Sequence, residues 1–237
     1  MPLNEYGQPI GEPLPDWTPR APIAPVTLTG RTVTLEPLGR QHLDDLWDAL
    51  MVKSGPELWT YLSVEPFADR DAMAAYLDLL AGDDAFVPLA VVLPSGRAVG
   101  WVSYMAMDLA HGSVEIGGVT FSRELQRTPA ATETISLTIR HALDDLGYRR
   151  FEWKCDCLNE PSRQAALRYG FHYEGRFRSR IVYKGRSRDT DWFSISADEW
   201  PAIRAAHEQW LAPSNFDADG HQLVSLRTLA AALPQRS

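Results

Sequence analysis

The chain has 237 residues, 45% of them hydrophobic and 23% charged, the balance of an ordinary globular protein rather than a disordered or fibrous one. That length allows one generous domain or two small ones. The formal net charge is −8 and no run of Lys or Arg forms a phosphate-gripping footprint, which argues against a nucleic-acid partner. No apolar run approaches the ~20 residues that a membrane helix needs. The opening MPLNEYGQPIGEPLPDW has neither the basic start nor the apolar stretch of a signal peptide, so no membrane association and a cytoplasmic location are expected.

In chain order, Pro2, Pro9, Pro13, Pro15, Pro19, Pro22 and Pro25 make residues 1–26 an extended arm, because proline removes backbone donors and opposes helix. Tyr6, Ile10, Leu14 and Trp17 are apolar enough to dock it, with Trp17 as the anchor; a loose arm is the alternative. Arg31–Pro37 alternates like a strand. Gln41–Val52 has helical spacing at Leu43, Leu46, Trp47 and Leu50, and Asp69–Leu80 repeats it at Met73, Tyr76, Leu77 and Leu80. Phe86–Leu93 and Ala98–Met107 read as a hairpin about the Pro94–Arg97 turn, and Ser113–Phe121 as the next strand. Thr132–Leu146 is a helix with Ile135, Ile139, Ala142, Leu143 and Leu146 on one face and Gly147 suited to its C-terminus.

Arg150–Cys157 follows as a strand. Cys155 and Cys157 lie two apart on it and share a face; they read as thiols rather than a disulfide, and two ligands alone make no zinc site. Pro161–Tyr169 is a helix stopped by Gly170. Tyr173–Val182 and Thr190–Ser196 close a hairpin, and its basic residues, among them Arg176, Arg178, Arg180 and Arg188, read as a solvent face. Asp198–Leu211 is a late helix. Asp217–Gly220 hints at a calcium loop but lacks the remaining ligands, so no metal is expected. Leu223–Leu233 reads as a short amphipathic helix that packs on the core or on a partner chain, which leaves a homodimer open.

Three features stand out between residues 113 and 171. Gly117-Gly118 interrupts a strand, where glycine marks a bulge or a close backbone approach. Gln126-Arg127-Thr128-Pro129-Ala130-Ala131-Thr132 leads into a helix N-terminus, a ready-made anion site, with an ordinary cap at Thr132 as the alternative. Asn159-x-x-Ser162, then Gly170-Phe171, gives a helix with a strong capping residue at its start. In this order the three resemble the core of the Gcn5-related N-acetyltransferase (GNAT) superfamily, especially its RimJ/RimL-like branch, over about residues 27–197.

The resemblance implies an α/β fold: a mixed, mostly antiparallel sheet flanked by helices. The Pro-rich arm (1–26) would precede an acyltransferase domain (27–197), with a C-terminal helical extension (198–237) after it. It also implies direct acetyl transfer from acetyl-CoA to an amine, on a small molecule or at a protein N-terminus, with no metal. Gly118, Val119 and Phe121 would flank the pantetheine. Gln126, Arg127, Ala130, Ala131 and Thr132 would hold the pyrophosphate, and Asn159 and Ser162 would lie against the CoA arm. Ser162 is the candidate proton donor to the leaving thiolate, with a capping hydroxyl as its other reading.

The sequence departs from the family pattern at three positions. Pro129 replaces the first glycine of the loop and lacks an N–H. Ala166 stands where many members carry a tyrosine acid, and Ile181 where RimL-like enzymes carry a glutamate. An amine must shed a proton before it attacks, and Glu115, two residues before the glycine pair, is the best-placed base, acting directly or through a water. Trp59, Tyr61 and Asp156 are candidates for the acceptor pocket, the aromatics by stacking and the carboxylate by its charge. Asp189 and Asp191 are further acidic candidates for holding a cationic acceptor, with a place in the turn ahead of the last strand as their other, favoured reading.

Overall fold

The computed structural model of the protein describes residues 1–231. Its framework is an eight-stranded sheet in the order β1-β2-β3-β4-β5-β6-β8-β7. The strands are β1 (Leu28–Thr29), β2 (Thr34–Pro37), β3 (Phe86–Val92), β4 (Ala98–Asp108), β5 (Ser113–Phe121), β6 (Arg150–Asp156), β7 (His172–Tyr183) and β8 (Arg186–Ser196). All neighbours pair antiparallel except β5 and β6. The sheet is thus mixed, mostly antiparallel and flanked by helices, as the resemblance implies.

Residues on alternate sides of the strands feed two cores, which is why β3 and β4 read as near-continuous apolar runs. Leu89, Val91, Val102, Tyr104, Val114, Ile116 and Phe151 pack with α3 (Pro129–Arg140), α4 (Glu160–Arg168), α5 (Trp200–Leu211) and α6 (Leu226–Ala231). Ala90, Ala98 and Trp101 face the other way, against α1 (Leu43–Trp47) and α2 (Arg70–Gly82).

Helix ends follow the local chemistry. Asp69 caps α2, its carboxylate accepting from Ala72 N at 2.8 Å. The expected helix over 41–52 is composite: a 3-10 turn (Arg40–His42), α1, then a π turn (Asp48–Val52). The helix expected from Thr132 starts three residues earlier, because Thr128 is its cap and Pro129 supplies the preset φ of a first helical residue. It ends in a π turn, His141–Asp145, with Gly147 at φ +69 just beyond.

Asp189 and Asp191 are a correction: β8 begins at Arg186, so both lie in the strand rather than in a turn. Asp191 is fully buried because Arg176 (2.7 Å) and Arg163 both pair with it, which ties α4 to the β7–β8 hairpin. The arm docks. The Trp17 indole donates to Ala110 O (2.9 Å) under the guanidinium of Arg20 (4.3 Å), and Tyr148 OH donates to Ala21 O. These contacts gather at the start of β5, away from its glycine pair. The last helix, α6, starts at Leu226 rather than Leu223; Ala232 and Leu233 lie outside the described residues.

Candidate active site

The sheet splits at one place. Parallel pairing of β5 with β6 covers only Ser113↔Arg150, Val114↔Phe151 and Glu115↔Glu152. From Ile116 to Phe121 β5 has no partner on that side, while β6 runs on beside β8 as far as Asp156. Gly117 and Gly118 sit at the start of the split. A Cβ on Gly117 would lie 2.3 Å from Met105 Sδ, and Gly118 has φ +58, a conformation that side chains resist. A β-bulge against β4 accompanies them. The glycines let the edge of β5 turn away from β6 and stay exposed, so its backbone groups are open to the amides of an extended ligand.

Beyond β5 the chain turns into α3. Gln126 donates its side-chain amide to Phe121 O (2.9 Å) and its backbone N–H to Ser122 O. Thr128 Oγ1 caps the helix by accepting from Ala131 N (3.2 Å). The backbone N–H groups of Arg127, at φ +63, and of Ala130 have no intramolecular acceptor among the described residues. Unpaired donors at the N-terminus of a twelve-residue helix suit the anionic pyrophosphate of a CoA ester. The loop residues therefore fit the group, even with proline at position 129. Thr132 is a correction: it is not the cap, its hydroxyl accepts from Arg168 (2.9 Å) and its amide donates to Thr128 O in the first turn of the helix, so both groups are already engaged within the fold.

A cavity of about 530 Å³ occupies the split and is lined from both faces of the sheet. On the α3–α4 side lie Ile116, Trp153, Cys155, Asn159 and Ser162; on the α1–α2 side lie Trp101, Met105, Glu115, Lys154 and Trp192. Asn159 caps α4 through Ser162 N (3.1 Å). The Trp153 indole donates to the Ser162 hydroxyl (3.0 Å), which leaves that hydroxyl its own proton to donate. Burial pushes the Cys155 thiol up, an effect partly offset by Ser162, so it stays protonated and is a poor nucleophile.

Glu115 is buried, and that burial raises its pKa. Lys154 opposes the shift: its ammonium is 2.8 Å from both Glu115 Oε2 and Glu152 Oε2, and 3.9 Å from the Trp192 ring centre. Glu115 Oε1 keeps no partner among the described residues. A buried carboxylate with one free oxygen at a cavity wall is suited to take a proton.

Of the acceptor-side candidates, Tyr61 lines the cavity and donates to Leu158 O (3.0 Å). Asp156 lines it too, but both its oxygens are engaged, by Leu158 N and by the Tyr183 hydroxyl (2.8 Å). Trp59 is a correction. It is 2% exposed, edge-on to Phe67 at 5.3 Å in the α1–α2 core; its own backbone carbonyl, accepting from Lys184 (2.7 Å), is what ties this loop to the β7–β8 hairpin. Two aromatics in a loop gave no means of telling the one that turns inward.

The comparisons with known proteins agree with this geometry. The family model for an acetyltransferase (GNAT) domain matches residues 32–172. A GCN5-related N-acetyltransferase from Brucella melitensis is 42% identical, with a TM-score of 0.90 over 92% of this chain and 100% of that one. The chain belongs to the GNAT acetyltransferase family. A probable GNAT-family acetyltransferase from Chromobacterium violaceum is 37% identical, with a TM-score of 0.76 over 82% of this chain and 98% of its own. The spermidine N-acetyltransferase of Vibrio cholerae, solved with CoA and spermine, is 18% identical at a TM-score of 0.58 over 72% and 98%, a likeness of fold. No curated protein matches the chain.

As a GNAT protein it is an acyl-CoA-dependent acetyltransferase, and its departures from the family pattern have places in the fold. Pro129 takes the first position of α3, Ala166 is fully buried between α4 and the core, and Ile181 lines the cavity from β7. The sequence reading missed Lys154, which is legible only as an alternation with Glu152 on one strand. It also missed Arg180, Arg188, Thr190 and Trp192, which line the cavity from the hairpin expected to face solvent.

Proposed function

We propose that the protein transfers an acetyl group from acetyl-CoA directly to the amine of a small molecule, in the manner of the RimJ/RimL-like branch. The observation that carries this is a cavity lined from both faces of the sheet at the β5–β6 split, with Glu115 on one wall and Ser162 on the other. In this reading the β5 edge at Gly118, Val119 and Phe121 and the α3 loop at Gln126, Arg127, Ala130 and Ala131 hold the cofactor. The bound acetyl-CoA supplies an activated thioester whose acyl carbon forms the new bond to nitrogen as its bond to sulfur breaks.

Glu115 Oε1 takes the proton that the amine gives up. Ser162 provides the proton that the departing sulfur takes up, leaving CoA as the free thiol. Lys154 holds the other oxygen of Glu115 in place. Transfer is direct, because the sulfur facing the cavity, that of Cys155, is held as a thiol and no activated nucleophile lines the cavity among the described residues. The ties from Tyr61 to Leu158 and from Lys184 to Trp59 narrow the acceptor side, which supports a small molecule over a protein N-terminus. Cys155 and Cys157 as free thiols fit a cytoplasmic setting.

The test begins with calorimetric titration of the full chain by acetyl-CoA and CoA. Saturable binding in the micromolar range is expected, and its absence at millimolar concentration would sink the reading. The double variant Ser162→Ala, Glu115→Gln should keep that binding and lose at least about 10²-fold in turnover. Undiminished turnover would remove both assignments.

A further inference from the structure

Three alternate residues of β8 share one physical peculiarity. Arg188 Nε, Thr190 Oγ1 and Trp192 Nε1 are each buried without a hydrogen-bond partner among the described residues. All three residues line the cavity. Their spacing puts them on one face of the strand, and register places that face: Thr190 pairs with Asp156 and Trp192 with Lys154. It is the face of Glu115, since Glu115 pairs with Glu152 and Lys154 bridges the two. A buried donor left unpaired costs on the order of 1–3 kcal/mol, so a row of three on a strand face that lines the cavity asks for partners, which a ligand rich in acceptor oxygens supplies once these side chains turn toward it.

Charge sharpens the point. Lys154 is matched by Glu115 and Glu152. Asp156 accepts from Tyr183 and Leu158. Arg180 and Arg188 also line the cavity, and neither guanidinium makes a direct ion pair with a carboxylate among the described residues; Arg188 stands over the Tyr183 ring at 5.7 Å and its charge favours the ionised form of Glu115. Two guanidiniums without a directly bonded carboxylate, Arg180 exposed and Arg188 half-buried, suit an anion with a planar pair of oxygens.

We infer that the acceptor is an amine that also carries a carboxylate, a compound of the amino-acid class. Its amine meets the free oxygen of Glu115, and its carboxylate is bound by the Arg188–Thr190–Trp192 row with Arg180 at the rim. The cavity is lined so that a polyamine, with cationic groups along its whole length, would meet these arginines unfavourably. This inference rests on the acetyl-CoA reading above and narrows its acceptor.

The experiment offers the full chain and acetyl-CoA a panel of amino acids, each paired with the amine made by removing its carboxylate. Aminoalkyl phosphates and polyamines complete the panel, with products read by mass spectrometry and rates by CoA release. The expected result is a kcat/KM at least about 100-fold higher for the acid of a reacting pair than for its amine, because a site built around polar partners rejects the analogue that lacks them. Arg188→Met should reduce that ratio at least about tenfold; Thr190→Val, nearly isosteric, should reduce it too and serves if the arginine variant does not fold. Equal or better use of the decarboxylated amines, of polyamines or of aminoalkyl phosphates would overturn the inference. So would a panel in which nothing reacts although acetyl-CoA binds. Loss of acetyl-CoA binding in the unaltered protein would instead count against the underlying acetyltransferase reading.

Discussion

His207 sits on α5 with no exposed surface, its Nε2 2.9 Å from Tyr169 O and its Nδ1 buried without a partner. Burial pulls its pKa down to about 4, the bond to the Tyr169 carbonyl works against that, and the nearby Arg168 guanidinium adds to it. The imidazole is therefore neutral in the fold at pH values where the unfolded chain, with an ordinary histidine near 6.5, already holds a proton. The unfolded state binds more protons in that window, so stability is complete above pH 6.5 and falls as the pH drops toward 4. The gap between 6.5 and about 4 is worth about 3 kcal/mol. Urea unfolding of the protein and of His207→Gln between pH 7.5 and 4.5 isolates this contribution, because other titrating groups cancel in the difference. The variant should be the less stable at pH 7.5, and its deficit should shrink by about 3 kcal/mol, or reverse, by pH 4.5. A difference that stays constant across the range would refute the neutral buried imidazole.

Because burial raises the Glu115 carboxyl, the acid limb of kcat/KM against pH should lie above the usual carboxylate range. It should vanish in Glu115→Gln along with about 10²–10⁴-fold of the rate; a variant that retains the limb would clear Glu115 of the base role. Gly118→Ala meets open space, with Ser103 Oγ the nearest atom at 3.7 Å, yet must hold φ +58. It should cost about 1 kcal/mol, a fall of about 2–4 °C in Tm by scanning calorimetry, together with weaker acetyl-CoA binding. Trp59→Ala should cost about 3–5 kcal/mol by chemical denaturation, with no change in KM for the acceptor in whatever protein stays folded. A raised KM at full stability would return Trp59 to the substrate pocket.

Elements set by local chemistry were open to reading from the sequence. Apolar alternation and turn residues marked β3 to β6, the Asn159 cap marked α4, and the glycine pair marked the split in the sheet. What escaped depended on contacts between distant segments. Thr128 outcompeted Thr132 as the cap because the loop delivers it with extended backbone ahead of Pro129. Trp59 and Tyr61 stand two residues apart in one loop, and only the fit against Phe67 and Trp101 decides which of them is core. The arginines of β7 and β8 carried the alternation of a solvent face. Their inward role follows from the pairing of β8 with β6, and from the Tyr61–Leu158 and Lys184–Trp59 ties that pull the hairpin and the loop over the cavity.

The split between β5 and β6 also constrains the order of events in solution. In the function proposed above one reactant is reached from each side of the sheet and neither needs to leave before the other arrives, so initial-rate plots at several fixed acetyl-CoA concentrations should intersect rather than run parallel. On that proposal desulfo-CoA should compete with acetyl-CoA alone and leave the acceptor's half-saturation untouched at saturating thioester, since the two molecules would not contend for the same doorway.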